Sequence, residues 1–166
     1  MSSLCISSVG DKTMIASCLC GEVKIEFGEP LGPFELCNCN RCKKHTGSAF
    51  NPVVDVSAAD YKVIAGKDCI KSYIAPLLER EPRYKVWFCT NCGSPLPDPE
   101  PAGEVVEIPA GIIDGVLEVE PDKSIFSEQS FSWVERINKI RSFTSKEFIG
   151  YRKKYGRTRC STPDVD

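Results

Sequence analysis

The sequence predicts a mostly β protein of antiparallel sheets held by zinc knuckles, with one short helix near the C-terminal end. Three observations carry that expectation. Several short segments alternate apolar and polar residues with the period of two that a half-buried strand requires. Glycine and proline break the chain between them at close intervals, as turns do. Two tight cysteine pairs, Cys18-Leu19-Cys20-Gly21 and Cys89-Thr90-Asn91-Cys92-Gly93, stand beside such segments, where a metal can hold loops at strand ends.

Taken in order, the first strand is expected at 22–27, where Val23, Ile25 and Phe27 alternate with Glu22, Lys24 and Glu26 before Gly28 and Pro30. A short strand over 34–37 delivers a cysteine cluster that sits in a polar loop or short helical turn ending at Thr46-Gly47. Residues 50–56 read as a strand, and Ser57 can cap a single turn through Asp60. Segments 61–64 and 69–74 flank Gly66 and suit a hairpin, and 75–82, with two prolines and three charges, suits an exposed loop. Tyr84, Val86 and Phe88 form one face of a strand that runs into Cys89. Pro95, Pro97, Pro99 and Pro101 predict a stiff extended loop. Strand character returns at 105–108, and Asp114-Gly115 is a hairpin signal between 112–113 and 116–119. Edge strands are expected at 124–127 and 131–134. Thr144 and Glu147 make a capping box ahead of Phe148, Ile149 and Tyr151.

The chain has 166 residues, enough for one domain with its own core, so cysteine is not needed merely to staple a small fold. There are 10 cysteines, and the opening residues carry no basic segment followed by an apolar run, which predicts a cytoplasmic protein with reduced thiols. Closely spaced thiols then bind metal or react. Four of them, Cys18, Cys20, Cys89 and Cys92, are the complement of a saturated tetrahedral zinc, which contributes folding energy and no chemistry. Cys37, Cys39 and Cys42 are only three, the pattern of a zinc with an open position. His45, the sole histidine, could close that site or support it from outside. Cys69 reads as a small buried residue, and Cys5 and Cys160 receive no role. A zinc open to a fourth, soft ligand would hold a substrate thiol as thiolate, which suits sulfur attack on an aldehyde or its reversal.

Other chemistries find little support. A net charge of −2 gives no general attraction to nucleic acid, and no apolar run is long enough to span a bilayer. With one histidine and no Gly-x-Ser-x-Gly there is no hydrolase triad, and neither a glycine-rich phosphate loop nor the deaminase His-x-Glu pattern occurs. The basic run Arg152, Lys153, Lys154, Arg157 and Arg159 reads as a solvated helix end, and Trp87 and Trp133 as core.

The cysteine motifs with their neighbours, Cys18-Leu-Cys20-Gly21-Glu-Val23, Cys37-x-Cys39-x-x-Cys42 followed by Thr46-Gly47-Ser48-Ala49-Phe50, and Phe88-Cys89-x-x-Cys92-Gly93-Ser94-x-Leu96, resemble the glutathione-dependent formaldehyde-activating enzyme family, which includes centromere protein V. Gly111-Ile-Ile-Asp114, Pro121 and Trp133 fit its weaker C-terminal pattern, so the resemblance covers about residues 14–135 of a single domain, 1–166. Asn38 stands where relatives often carry histidine. The resemblance implies an Mss4-like fold and two zincs: a structural one on Cys18, Cys20, Cys89 and Cys92, a catalytic one on Cys37, Cys39 and Cys42. It also implies carbon–sulfur lyase chemistry on S-hydroxymethylglutathione, the adduct of glutathione and formaldehyde. Two other readings stand beside it: a zinc Lewis acid acting on a small metabolite without glutathione, and a non-catalytic zinc-stapled binding module that needs only the four-cysteine site.

Overall fold

The computed structural model describes residues 13–76 and 83–155. The expectations for Cys5, Cys160, Arg157, Arg159 and residues 77–82 of the exposed loop lie outside the described residues. Two compact units divide the chain, one ending at Phe131 and the other beginning at Ser132.

In the first unit the strands follow in chain order: β1 (Met14–Ser17), β2 (Lys24–Phe27), β3 (Phe34–Cys37), β4 (Asn51–Ser57), β5 (Lys62–Ala65), β6 (Ile70–Ile74), β7 (Lys85–Cys89), β8 (Pro95–Leu96), β9 (Val105–Pro109) and β10 (Lys123–Ile125). One helix, α1 (Asn40–Thr46), interrupts them. The strands form three sheets, ordered β1-β2-β5, β10-β3-β4-β9 and β6-β7-β8, antiparallel throughout except where β10 lies parallel to β3. The mostly β, antiparallel expectation therefore holds.

The alternation read in the sequence builds the core. Val23, Ile25 and Phe27 are fully buried and pack with Val56, Val106 and Ile108 from the second sheet and with Cys89 and Leu96 from the third. Each such side chain contributes roughly 1.5–3 kcal/mol by leaving water. Cys18 and Cys89 belong to this same cluster, so the four-cysteine site grows out of the main core. Cys37, Cys39 and Cys42 form a separate cluster with Tyr84, Ile125 and Phe126.

Three local expectations in this unit are corrected. The 61–64 and 69–74 segments are strands but not a hairpin, because β5 pairs with β2 and β6 with β7. At Gly66 (φ +67°) the chain turns against β2 so closely that a Cβ would overlap the Glu22 carbonyl oxygen, and a 3-10 turn over Lys67–Cys69 then leads it into another sheet. Asp114-Gly115 does not close a hairpin: the Asp114 N–H donates to Ile15 O at 2.8 Å, its carboxylate accepts from the Ser17 hydroxyl at 2.8 Å, and Ile113 bridges to Ala16. The segment is spent on β1, a strand whose four residues gave no sequence signal. Pro95 and Leu96, expected within an extended loop, pair with Phe88 and Trp87 as a two-residue edge strand.

The second unit holds a 3-10 turn over Val134–Lys139 and α2 (Ser145–Tyr155). The edge strand expected at 131–134 is replaced by turns, the Arg136 N–H bonding locally to Trp133 O at 3.0 Å, and Trp133 is half exposed rather than core. The capping box of α2 is formed: the Thr144 N–H donates to Glu147 Oε2 at 2.7 Å, and the Glu147 N–H donates to Thr144 Oγ1 at 3.3 Å. No helix among the described residues is long and apolar enough to cross a membrane.

Candidate metal centres

The sulfurs of Cys18, Cys20, Cys89 and Cys92 lie within 4.8 Å of one another, as do those of Cys37, Cys39 and Cys42. Each group is brought together by strand ends and tight turns, and each has a metal-like spacing. Four thiolates at about 2.3 Å from a tetrahedral ion are separated by about 3.8 Å, whereas a disulfide needs about 2.05 Å. The separations are 3.4 Å for Cys18–Cys20, 3.9 Å for Cys20–Cys89 and 3.6 Å for Cys37–Cys39. All seven thiols are free. The donor sets fit a soft divalent metal such as zinc.

Two matching turns present the four-thiol group. After Cys18 the Gly21 N–H closes on Cys18 O at 2.9 Å, and after Cys89 the Gly93 N–H closes on Cys89 O at 2.8 Å. Both glycines take left-handed conformations, φ +76° and +74°, that a residue with a side chain resists. Backbone joins the turns: the Leu19 N–H donates to Ser94 Oγ at 2.9 Å, and the Val23 N–H donates to Cys18 Sγ at 3.2 Å. These polar contacts split the thiols by acidity. The Ser94 hydroxyl, with its backbone N–H, pulls Cys92 down to about 5. Cys20, despite the opposing Glu22 backbone contact, is pushed up to about 12 by Cys18 and by burial, and burial raises Cys89 as well. Four negative sulfurs therefore need a cation to coexist.

The three-thiol group has a different setting. Cys37 ends β3, Cys39 is the residue before the first turn of α1, and Cys42 lies on that turn, all three buried. Between them Asn38 is 2 % exposed, and its Nδ2 reaches Leu36 O at 3.2 Å, Ser124 Oγ at 2.8 Å and Ile125 O at 2.9 Å. That clasp fixes both flanking cysteines. Gln129 holds the start of α1, its Oε1 accepting from the Asn40 N–H at 2.9 Å, and Gly47 (φ +64°) ends the helix. Burial pushes Cys42 and Cys37 up, while Cys39, which burial alone would raise, is brought down by the Cys42 backbone N–H and the neighbouring thiols.

Among the described residues no histidine, carboxylate or further thiol joins this group. Tyr84 borders it, with its Oη 3.5 Å from Cys42 Sγ, and burial keeps the phenol protonated. His45 turns edge-on to the Tyr84 ring at 6.2 Å, and burial lowers its pKa so that the imidazole is neutral at neutral pH. The Arg41 guanidinium lies over the same ring, 5.0 Å from its centroid. Arg41, Lys44, His45, Tyr73, Tyr84 and Phe88 line a cleft of about 540 Å³ that opens beside the three thiols. The alternation of Tyr84, Val86 and Phe88 thus makes a cleft wall, whereas the sequence marked only a strand face. Cys69 stands apart from both groups, half buried, with Asn91 Nδ2 at 3.9 Å from its sulfur.

A β protein with one group of four thiols and one of three, both spaced for metal, is the class that fold and sites define. A family model described as glutathione-dependent formaldehyde-activating enzyme matches residues 13–129, and the chain belongs to that family. A crystal structure of a Rhodobacter sphaeroides protein is similar at 24 % identity, covering 63 % of this chain and 92 % of that one, with a TM-score of 0.46. No curated protein matches the chain in sequence.

Proposed function

We propose that this protein is a zinc-dependent carbon–sulfur lyase of the cytoplasm, acting on a glutathione–aldehyde adduct such as S-hydroxymethylglutathione. The observation that carries the reading is the three-thiol group set beside a cleft with no fourth side-chain ligand among the described residues. Cys37, Cys39 and Cys42 would hold the catalytic zinc, and Cys18, Cys20, Cys89 and Cys92 a structural one. Bound at the three-thiol group, zinc supplies a soft position at which a substrate sulfur is stable as thiolate near neutral pH.

The chain's own residues do the rest. Arg41 and Lys44, one turn apart on α1, offer two cations to the two carboxylates of glutathione. Tyr73, Val86 and Phe88 give the cleft apolar walls that limit water around the reacting carbon. Tyr84 holds its phenolic proton at Oη, within reach of a sulfur or hydroxyl oxygen next to Cys42. In the cleavage direction the carbon–sulfur bond breaks with its electron pair on sulfur, the hydroxyl proton leaves to solvent, and the carbonyl forms; synthesis is the reverse.

The test is two-dimensional NMR exchange between glutathione, formaldehyde and the adduct, with zinc content measured on the same sample. Faster exchange with protein carrying two zincs per chain is expected. Exchange no faster than in buffer, from fully loaded protein, would overturn the lyase reading and leave a metal-stapled binding module.

A further inference from the structure

Among the described residues two asparagines are buried, and they differ in one respect. Asn38, 2 % exposed, has its amide donors used. Asn51, 8 % exposed, has no side-chain hydrogen bond to any described residue. Among the described residues only Tyr61 Oη is fully buried without a partner, so the Asn51 amide reaches solvent, and an amide placed there without a protein partner calls for an explanation.

Its position supplies one. Asn51 opens β4 directly opposite Cys37 on β3, and residues opposite each other in an antiparallel pair project to the same face. It lines a second cleft of about 370 Å³, which shares His45, Tyr84 and Val86 with the larger cleft and adds Lys85, Trp87 and Glu107. The two clefts share these wall residues, and Asn51 lines the smaller one while lying across the strand pair from Cys37. A carboxamide offers a donor and an acceptor side by side, the complement of a peptide group.

We propose that Asn51 is a substrate-specificity residue: its carboxamide pairs with a peptide group of a thiol peptide whose sulfur sits at Cys37, Cys39 and Cys42. The inference rests on the thiol-adduct reading above and adds what the ligand carries beyond its sulfur. A thiol without a peptide group gains nothing from Asn51. An isosteric apolar side chain keeps the volume and breaks no protein hydrogen bond, so Asn51→Leu is expected to keep the fold.

The experiment is calorimetric titration of the zinc-loaded protein with glutathione and with 2-mercaptoethanol, for the natural chain, Asn51→Leu and Asn51→Ser, with melting temperature and zinc content recorded for each. Glutathione is expected to bind the natural chain more tightly than mercaptoethanol, and both variants are expected to lose about tenfold or more for glutathione alone. Equal glutathione affinity in all three proteins would overturn the role of Asn51 while leaving the thiol-adduct reading in place. Glutathione binding no better than mercaptoethanol in the natural chain would overturn both. A parallel loss for the two thiols, with lower melting temperature or lost zinc in both variants, would make Asn51 structural and overturn the proposal.

Discussion

Replacing Asn38 tests how the three-thiol group is held. Its Nδ2 carries two hydrogens but faces three acceptors at 2.8–3.2 Å, so no more than two full hydrogen bonds exist at once and one is shared. At roughly 0.5–1.5 kcal/mol net for each bond, Asn38→Leu is expected to destabilise the protein by about 1–3 kcal/mol. For a chain of this size that corresponds to a melting point lower by roughly 2–12 °C. The Asn38 N–H to Ile125 O bond at 3.1 Å survives the substitution, which keeps the loss local. Because residue 38 lies between Cys37 and Cys39, the three-thiol metal should be lost at a lower chelator concentration than in the natural chain, while the four-thiol metal is retained. Asn38→Asp should be worse than leucine, since it aims a buried carboxylate at carbonyl oxygens and adds charge beside thiolates. Thermal unfolding with zinc in excess and metal analysis across a chelator series provide the readings. An unchanged melting point together with parallel release of both metals would refute the clasp.

Three further outcomes are expected. Cys39→Ala should abolish adduct exchange while circular dichroism stays near native, whereas Cys92→Ala should unfold much of the protein; equal destabilisation by both would deny the two groups separate roles. Metal uptake should release at least two protons at each group near neutral pH, because Cys20 and Cys89 in one and Cys37 and Cys42 in the other are raised and so protonated without a cation. Affinity then rises with pH and falls as the solution is acidified, and uptake without proton release in weakly buffered solution would contradict the assignment. Gly66→Ala should cost about 2–5 kcal/mol, from the left-handed backbone and from overlap with the Glu22 carbonyl; a denaturation midpoint within error of the natural chain would sink that argument.

What could be read from residue order was whatever neighbouring residues decide. The 22–27 strand was legible because Val23, Ile25 and Phe27 state their face by alternation, and the capping box of α2 because Thr144 and Glu147 sit three apart. The short cysteine spacings were legible for the same reason, since a turn of two or three residues must bring their sulfurs close. Illegible were decisions taken between distant segments. Gly66 looks like a hairpin turn until the Glu22 carbonyl stands against it, and Asp114-Gly115 like another until Ile15 and Ser17 claim Asp114. Asn51 was hidden inside an apolar strand, and only its register opposite Cys37 marks it. Tyr84 was read as one residue of a strand face, because nothing local reveals that Cys42 lies 3.5 Å from its hydroxyl.

The two thiol groups are joined by β7. Tyr84, immediately before the strand, touches Cys42, and Cys89 at its other end belongs to the four-thiol group. Five residue steps of extended chain separate them by about 17 Å. β6 holds the strand on one side from Ile70 opposite Cys89 to Ile74 opposite Lys85, and β8 grips it on the other at Trp87 and Phe88. These ladders set the register of the strand, and an anchor at one end adds to that hold. Gathering Cys89 and Cys92 against Cys18 and Cys20, with Cys89 69 positions beyond Cys20 in the chain, supplies such an anchor. A metal bound at the four-thiol group would therefore do more than stabilise the core. Held at that end as well, β7 would carry the Tyr84 hydroxyl to Cys42 in one position, so a metal at the four-thiol group would steady the other group without sharing its chemistry.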